Sequence, residues 1–347
     1  MKKNILLILA ACLGFLAETK AQDPQYSQFF ASPLLLNPAF AGSTQGLRFS
    51  ANYRNQWPQL SSQFVTTSAS FDYHFANVRS SIGVIARTDQ QGSEGNTPIN
   101  STEGSLIYSY MIPISERVIV QPALQMTYMQ RSLRYNDLIF PDQLNNAGFT
   151  GNLTRENIPN NTIGFMDFST GVVVLSSNFW FGLSAHHLTQ PNQSFFAEAQ
   201  DVKSVLKMKL SAQGGYRYDF SDHYSNSERS ITTSFIYRNQ SPSNAISIGS
   251  QVVLEPITFG VWYRGFPVEQ YQSITQQDAF VFMAGIQTKG FSFGYSYDAA
   301  ISKLYNYNAG AHEISLMYFF GSQDVICPDI YGSGGYGRNP RRSTWRR

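Results

Sequence analysis

Asp72 and His74 stand two residues apart and His186 and His187 side by side, and residues of these types at this spacing could support acid–base chemistry. On a strand, positions i and i+2 share a face, so Asp72 and His74 could together polarise a water for hydrolysis. Adjacent histidines on a strand project to opposite faces and cannot serve one site. The rest of a catalytic constellation is missing: no serine sits in a nucleophile elbow, and no metal-ligand spacing occurs. The expectation is therefore a protein without enzymatic activity, cofactor or metal, with a hydrolase resting on Asp72 as the catalytic alternative.

The elements that would position these residues are strands. In residues 47–54, Leu47, Phe49, Ala51 and Tyr53 interleave with Arg48, Ser50, Asn52 and Arg54, and residues 65–75 and 205–220 alternate in the same way. A helix would spread those charges over every face. This period predicts strands at 46–57, 64–75, 80–88, 100–112, 117–131, 162–175, 178–189, 203–220, 229–239, 244–254, 257–266, 278–288, 291–299 and 310–320, which is fourteen. Short connections such as 176–177, 255–256 and 289–290 take turns with long ones at 132–161, 190–202, 267–277 and 300–309, and the "SDHYSNSE" stretch at 221–228 is the exception. That asymmetry is the one expected of an outer-membrane barrel, with short periplasmic turns and longer outer loops. The fold class predicted is all-β, a fourteen-stranded antiparallel transmembrane barrel; a soluble sandwich or propeller is the alternative.

Composition agrees with a membrane-embedded barrel. Charged residues make up 14% of the chain against roughly 25% in soluble domains, and aromatics are also 14%, with 26 Phe and 20 Tyr. Many of these aromatics fall near strand ends, where interfacial girdles sit, and the final stretch "HEISLMYFF" ends in aromatics as the assembly signal of such barrels does. The net charge of +2 makes no case for nucleic acid. Lys2-Lys3, the apolar residues 5–16 and Thr19-Lys20-Ala21 have the layout of a secretory signal cleaved before Gln22, with a lipoprotein box at Cys12 as the alternative. Past Ala21 no apolar run reaches the ~18 to 20 residues of a spanning helix. Without residues 1–21 a single cysteine, Cys327, remains, so no internal disulfide is available.

The segment "QDPQYSQFFASPLLLNPAFAG" at 22–42, followed by "YRNQWP" at 53–58, resembles the signature of the PorP/SprF family of the type IX secretion system of Bacteroidota. The resemblance implies an integral outer-membrane protein of the secretion and gliding system. Such a protein would hold a secreted surface protein by its carboxy-terminal sorting domain, and would meet periplasmic or lipoprotein components of the secretion machine and outer-membrane lipid. A fatty-acid-transporter-like channel for small hydrophobic molecules is the rival, because those fourteen-stranded barrels also carry an Asn-Pro-Ala plug near their start. The organisation expected is a signal peptide at 1–21, a periplasmic or plug segment at 22–45, a barrel at 46–320 and a periplasmic tail at 321–347.

Candidate residues follow from these parts. Asn37, Pro38, Ala39, Phe40 and Gly42 would bend the amino-terminal segment into the lumen. Arg48, Arg54, Asp72, Arg87, Lys207, Lys209, Arg217, Asp219, Arg264 and Glu313 fall on the polar phase and are expected to face the lumen. Partner binding at the outer rim and loops is expected of Arg54, Trp57, Leu138, Ile139, Phe140, Phe195, Phe196 and Tyr271, the arginine and aromatics being favoured anchors. The tail carries five arginines against two aspartates, and Tyr331, Arg338, Arg341, Arg342, Trp345, Arg346 and Arg347 would form its periplasmic tether.

Overall fold

The computed structural model describes residues 23–44, 46–60, 63–93, 96–115, 117–134, 140–145, 148–151, 154–155, 161–195, 204–221, 229–241, 243–271, 274–288, 290–301 and 310–320. Among these, fourteen strands form the wall: β1 (Leu47–Gln56), β2 (Phe64–Phe75), β3 (Ser80–Ser93), β4 (Asn96–Tyr110, continued past Met111 by Ile112–Ser115), β5 (Val118–Leu133), β6 (Thr162–Ser176) and β7 (Phe179–His186). The second half adds β8 (Lys209–Asp219), β9 (Arg229–Gln240), β10 (Ser243–Leu254), β11 (Ile257–Tyr271), β12 (Ile274–Thr288), β13 (Phe291–Ala300) and β14 (Ala311–Phe320). Each strand pairs antiparallel with its sequence neighbours, and β1 pairs with β14 in the register Leu47↔Phe320 to Gln56↔Ala311, which closes the ring. A closed ring leaves no unpaired edge, and in hydrocarbon that closure is obligatory.

Alternation places the oily side chains outside. Phe71, Val84, Leu106, Leu124, Phe168, Val261 and Phe282 are exposed, whereas Ser70, Ser105, Gln125, Asp167 and Ser169 on the opposite phase are buried. An apolar surface encircling the molecule would be a liability in water and is satisfied by lipid. Tyr73 and Phe75, Tyr218 and Phe220, and Tyr318 and Phe320 form exposed ring pairs near the end that carries the short connections, with Tyr318–Phe320 centroids 4.4 Å apart. Such a belt is what the headgroup interface favours. No helix among the described residues is long and apolar enough to cross a membrane.

The inner wall is less polar than its alternation suggests. Ile85, Ile107, Ile119, Val173, Leu175, Trp180, Ile236, Trp262, Val281, Met283, Met317 and Phe319 are all buried and cluster with Phe29, Phe30, Leu34 and Phe40 of the amino-terminal segment. The interior is a packed hydrophobic core, with charged groups gathered above and below it.

Three stretches depart from the predicted strands. The ladder of β8 starts at Lys209; residues 204–206 pair back on 191–193, through the bridge Asn192↔Val205 and the bond from Leu206 N to Pro191 O, 3.0 Å. That excursion resets the phase, so Leu206 is buried beside Asp23 and Pro24 and Lys207 is exposed, the reverse of their predicted sides. The second departure is at 267–277, predicted as a loop, where the strands run on to Tyr271 and resume at Ile274. Pro267 cannot donate to a ladder, and the register slips between Phe266 and Gln270, which is the local disturbance that breaks the alternation. Third, β7 ends at His186, and His187 takes a left-handed conformation with φ of 60°.

Candidate functional site: the buried segment and the mouth above it

Residues 23–44 form neither strand nor long helix, for local reasons. Pro33 opens a single helical turn, Pro33–Leu36, and Pro38 opens a 3₁₀ turn, Pro38–Phe40; proline is tolerated at the first helical position, where its missing N–H costs nothing. Between them Asn37 is extended, as a residue before proline must be, and its Oδ1 accepts from Ala39 N at 2.9 Å.

The segment descends through the inward-facing side chains of the ring. Asp23 lies level with the long-loop ends of β7, β8 and β9, where its carboxylate accepts from Lys209 Nζ at 2.5 Å and meets His187 Nε2 at 2.8 Å. His187 in turn contacts Asp167 at 2.6 Å through Nδ1. The left-handed turn at 187 brings it inward beside His186, with ring centroids 6.4 Å apart, so the two histidines do share a side, contrary to the strand rule applied to them. Asp23 and His187, the centre of this latch, lie outside the strands, whereas Lys209 and Asp167 belong to β8 and β6. Burial opposes ionisation of Asp23, but Lys209 and then His187 hold its carboxyl well below the usual range. Burial would likewise lower His187, but the Asp23 charge and the bonds to Asp167 and Asp23 raise it to about 9.

One turn further in, Ser27 and Gln28 enter a charged network. Arg54 pairs with Asp298 at 2.7 Å and with Glu313 at 3.1 Å; Arg264 pairs with Asp298 at 2.9 Å and also with Asp278. Ser27 Oγ accepts from Arg54 and Arg264, both at 2.8 Å, and donates to Asp298 at 2.7 Å. The Ser27 and Gln28 backbone N–H groups take the two Glu313 oxygens at 2.7 and 3.0 Å. Gln28 completes the contact, donating to Glu313 O at 3.0 Å and accepting from Ser315 Oγ at 2.6 Å.

Below this the contacts turn apolar. Phe29 and Phe30 pack on Trp262, with centroids 6.0 and 5.8 Å away, and Phe40 meets Trp180 edge-on at 5.6 Å. Asn37 Nδ2 donates to the carbonyls of Leu183 at 3.0 Å and Val172 at 3.3 Å. It fits there because Gly171 and Gly182 face it; a Cβ at Gly171 would overlap Asn37 Oδ1. At the short-turn end Arg48 grips Asp72 with two bonds of 2.8 and 3.0 Å and donates to Phe40 O at 2.9 Å. Gly42 N donates to Asp72 at 2.6 Å, and a side chain at Gly42, whose φ is 72°, would collide with Ser81.

The predicted site residues divide accordingly. Asn37, Pro38, Ala39, Phe40 and Gly42 are all buried and lie together in the segment. The segment begins at the long-loop end and reaches the short-turn end only at Gly42, a course opposite to entry from the short-turn side. Arg54 is buried in the Ser27 network, while Trp57 stacks edge-on against Phe64 at 5.4 Å and lines a mouth cavity of about 620 Å³. The same cavity is bordered by Arg131, Arg264, Asp23 and Asp89. Phe140 leads into a 3₁₀ turn, Pro141–Gln143, Phe195 is half-buried, and Tyr271 ends β11 opposite Ile274. Leu138, Ile139, Phe196 and the tail residues Tyr331, Arg338, Arg341, Arg342, Trp345, Arg346 and Arg347 lie outside the described residues.

The catalytic alternative gains no geometry. Asp72 is occupied by Arg48 and Gly42, and His74 Nδ1 bonds Ser81 Oγ at 2.9 Å. Residues 290–294 spell Gly-Phe-Ser-Phe-Gly, but Ser292 lies within strand β13 opposite Gln287 and Met317, not on a strand-to-helix turn. Sequence reasoning missed Ser27, Gln28, Trp180, Trp262 and the His187 latch. Two tryptophans on the otherwise polar phase were the available signal, since an inward indole needs something apolar to meet it.

Solved structures with similar strand arrangements are outer-membrane proteins. Omp33 of Acinetobacter baumannii matches at 10% identity over 80% of this chain and 100% of its own, with a TM-score of 0.41. The toluene transporter TodX of P. putida matches at 8% identity over 82% and 92%, TM-score 0.42, and a FadL homologue of Pseudomonas aeruginosa at 9% over 82% and 93%, TM-score 0.39. Among curated proteins none matches the chain. Residues 18–318 match the family described as type IX secretion system membrane protein PorP/SprF, which spans the ring and the segment inside it. The chain belongs to that family of outer-membrane proteins.

Proposed function

We propose that this protein is a closed binding station of the type IX system. Its long-loop mouth holds a secreted surface protein through that protein's sorting domain, and its short-turn end and tail meet periplasmic or lipoprotein components of the machine. The observation that supports this reading is the state of the interior. Residues 23–44 occupy it from one end to the other, tied to the wall by buried charges above and below an apolar core. The cavities beside the segment measure about 10, 40 and 50 Å³, against about 620 Å³ at the mouth. A barrel filled in this way suits a docking role, with Trp57 at the mouth and the exposed Leu144 and Phe149 of the long loop offering apolar anchors among polar groups.

Purification from native membranes tests it. A large secreted protein is expected to be recovered with the barrel, and Trp57→Ala is expected to lower that recovery about tenfold or more while leaving the barrel inserted, as loss of one aromatic anchor does. A barrel recovered alone, conducting in planar bilayers or carrying lipid inside, would instead favour the channel reading.

A further inference from the structure

We infer that the small cavity between the buried segment and strands β3, β8 and β9 is an anion site, fitted to chloride or an ion of similar size, which fastens the segment to the wall. Three cations line it, Arg87, Lys209 and Arg238, together with Ser32 and Ser211, and no acidic side chain borders it. Two of the cations have partners: Arg87 pairs with Glu103 at 2.8 Å and Lys209 with Asp23 at 2.5 Å. Arg238 has no carboxylate within ion-pairing distance among the described residues; one of its N–H groups reaches Gln25 Oε1 at 3.3 Å. A guanidinium carries five donors, so most of its capacity is left for the cavity.

The segment contributes a second, independent sign. Ser32 is 4% exposed, and its hydroxyl has no hydrogen-bonding partner among the described residues. A buried hydroxyl without a partner is costly, and here it lines the same space as the uncompensated guanidinium. The surroundings deepen the positive potential, because Arg54 and Arg264 act on Arg238 as like charges while Asp298, Glu313 and Asp278 are engaged with those two arginines. Donors from the wall and from the segment, with no carboxylate in the lining, are the chemistry of anion binding. The volume, about 40 Å³, exceeds the roughly 10–15 Å³ needed for one water. It suits a small inorganic ion and excludes a nucleotide or lipid.

The test uses the full chain in detergent, with chloride exchanged for gluconate at constant ionic strength. The thermal midpoint is expected to rise saturably with chloride, bromide is expected to replace it, and crystals grown in bromide should show anomalous density between Arg238 and Ser32. Arg238→Gln should abolish the chloride response, whereas Arg117→Gln, an equal charge change on an exposed turn, should keep it. If Arg238→Gln does not fold, Ser32→Ala, which keeps every charge, should raise the half-saturating chloride concentration several-fold. A midpoint indifferent to chloride, a response unaltered in these variants, or bromide density absent from the cavity overturns the assignment.

Discussion

The two ends of the buried segment are held in opposite ways. At the short-turn end the charged attachment centres on one carboxylate: Asp72 takes two bonds from the buried Arg48, the same two side chains hold Phe40 O and Gly42 N, and neutral Ser109 and Gln121 donate to Ala41 O. At the long-loop end the attachment is shared, with Arg54 and Arg264 dividing Asp298 between them and Ser27 at the centre. Among the described residues Asp72 has one cationic partner, Arg48, and without it the carboxylate is left charged in a medium that cannot solvate it. A shared network can regroup. The short-turn end should therefore govern whether the barrel folds around its segment, and the mouth how firmly the segment's beginning is held.

Arg48→Met gives the largest expected effect. It strands the Asp72 carboxylate, for which about 3–5 kcal/mol of lost stability is the usual cost. Unfolding followed by heat-dependent mobility in gels should show a large drop in midpoint. Arg54→Met should do less, since Arg264 keeps Asp298 paired and the Ser27 and Gln28 N–H groups still hold Glu313. Equal losses in the two variants would erase the distinction between the ends.

Between the ends the segment is held by shape, and Gly171→Ala sharpens that point. The new Cβ overlaps Asn37 Oδ1 without touching either charged cluster, and overpacking of this kind costs about 1–3 kcal/mol. Ion conductance through the purified barrel should rise as the middle of the segment is pushed from β6. Adding Asn37→Ala removes the overlapped atom and should restore part of the loss. A double variant no better than Gly171→Ala would mean that Asn37 does not fill that space.

These ends differed in how far they could be read from the sequence. The ring itself was legible, since each strand faces lipid on one side and alternates with period two, and the closing pair β1–β14 follows from an even count. The segment's local breaks at Asn37-Pro38 and Gly42 were legible too, though not the helical turn that Pro33 opens. Its anchors were not. Arg48 and Asp72 could be assigned to the inner face, but nothing in either strand says that they meet, because the register Arg48↔Asp72 is set by the turn between β1 and β2. At the mouth, His187 turns inward through a left-handed backbone that its residue type does not announce, and Asp278 ends a stretch where Pro267 has broken the alternation. The apolar core was hidden because Ile236 and Trp262 stand singly among inward Ser230, Thr232, Ser234, Thr258 and Arg264, so the inner face of those strands reads as polar.

The smallest expected effect lies at the very start of the segment, and it depends on pH. His187, raised from 6.5 to about 9 by its carboxylate neighbours, stabilises the latch fully below pH 6.5 and loses that contribution as pH climbs through 9. Asp23, held well below 3.8, contributes above that value and ceases to as pH falls beneath it. The latch is therefore firmest from about pH 4 to pH 6.5 and loosens on either side. Deuterium exchange at residues 23–28, corrected for the intrinsic rate, should be slowest in that window and quicken towards pH 9 and above, while residues 37–42, bound through Asn37 and the Arg48–Asp72 pair, should change little over the same range. His187→Gln should remove the alkaline step and leave the acidic one. Exchange that quickens equally at both ends of the segment would show that the latch and the lower clamp act as one unit, and the contrast between shared and single attachment would then fail at its weakest link.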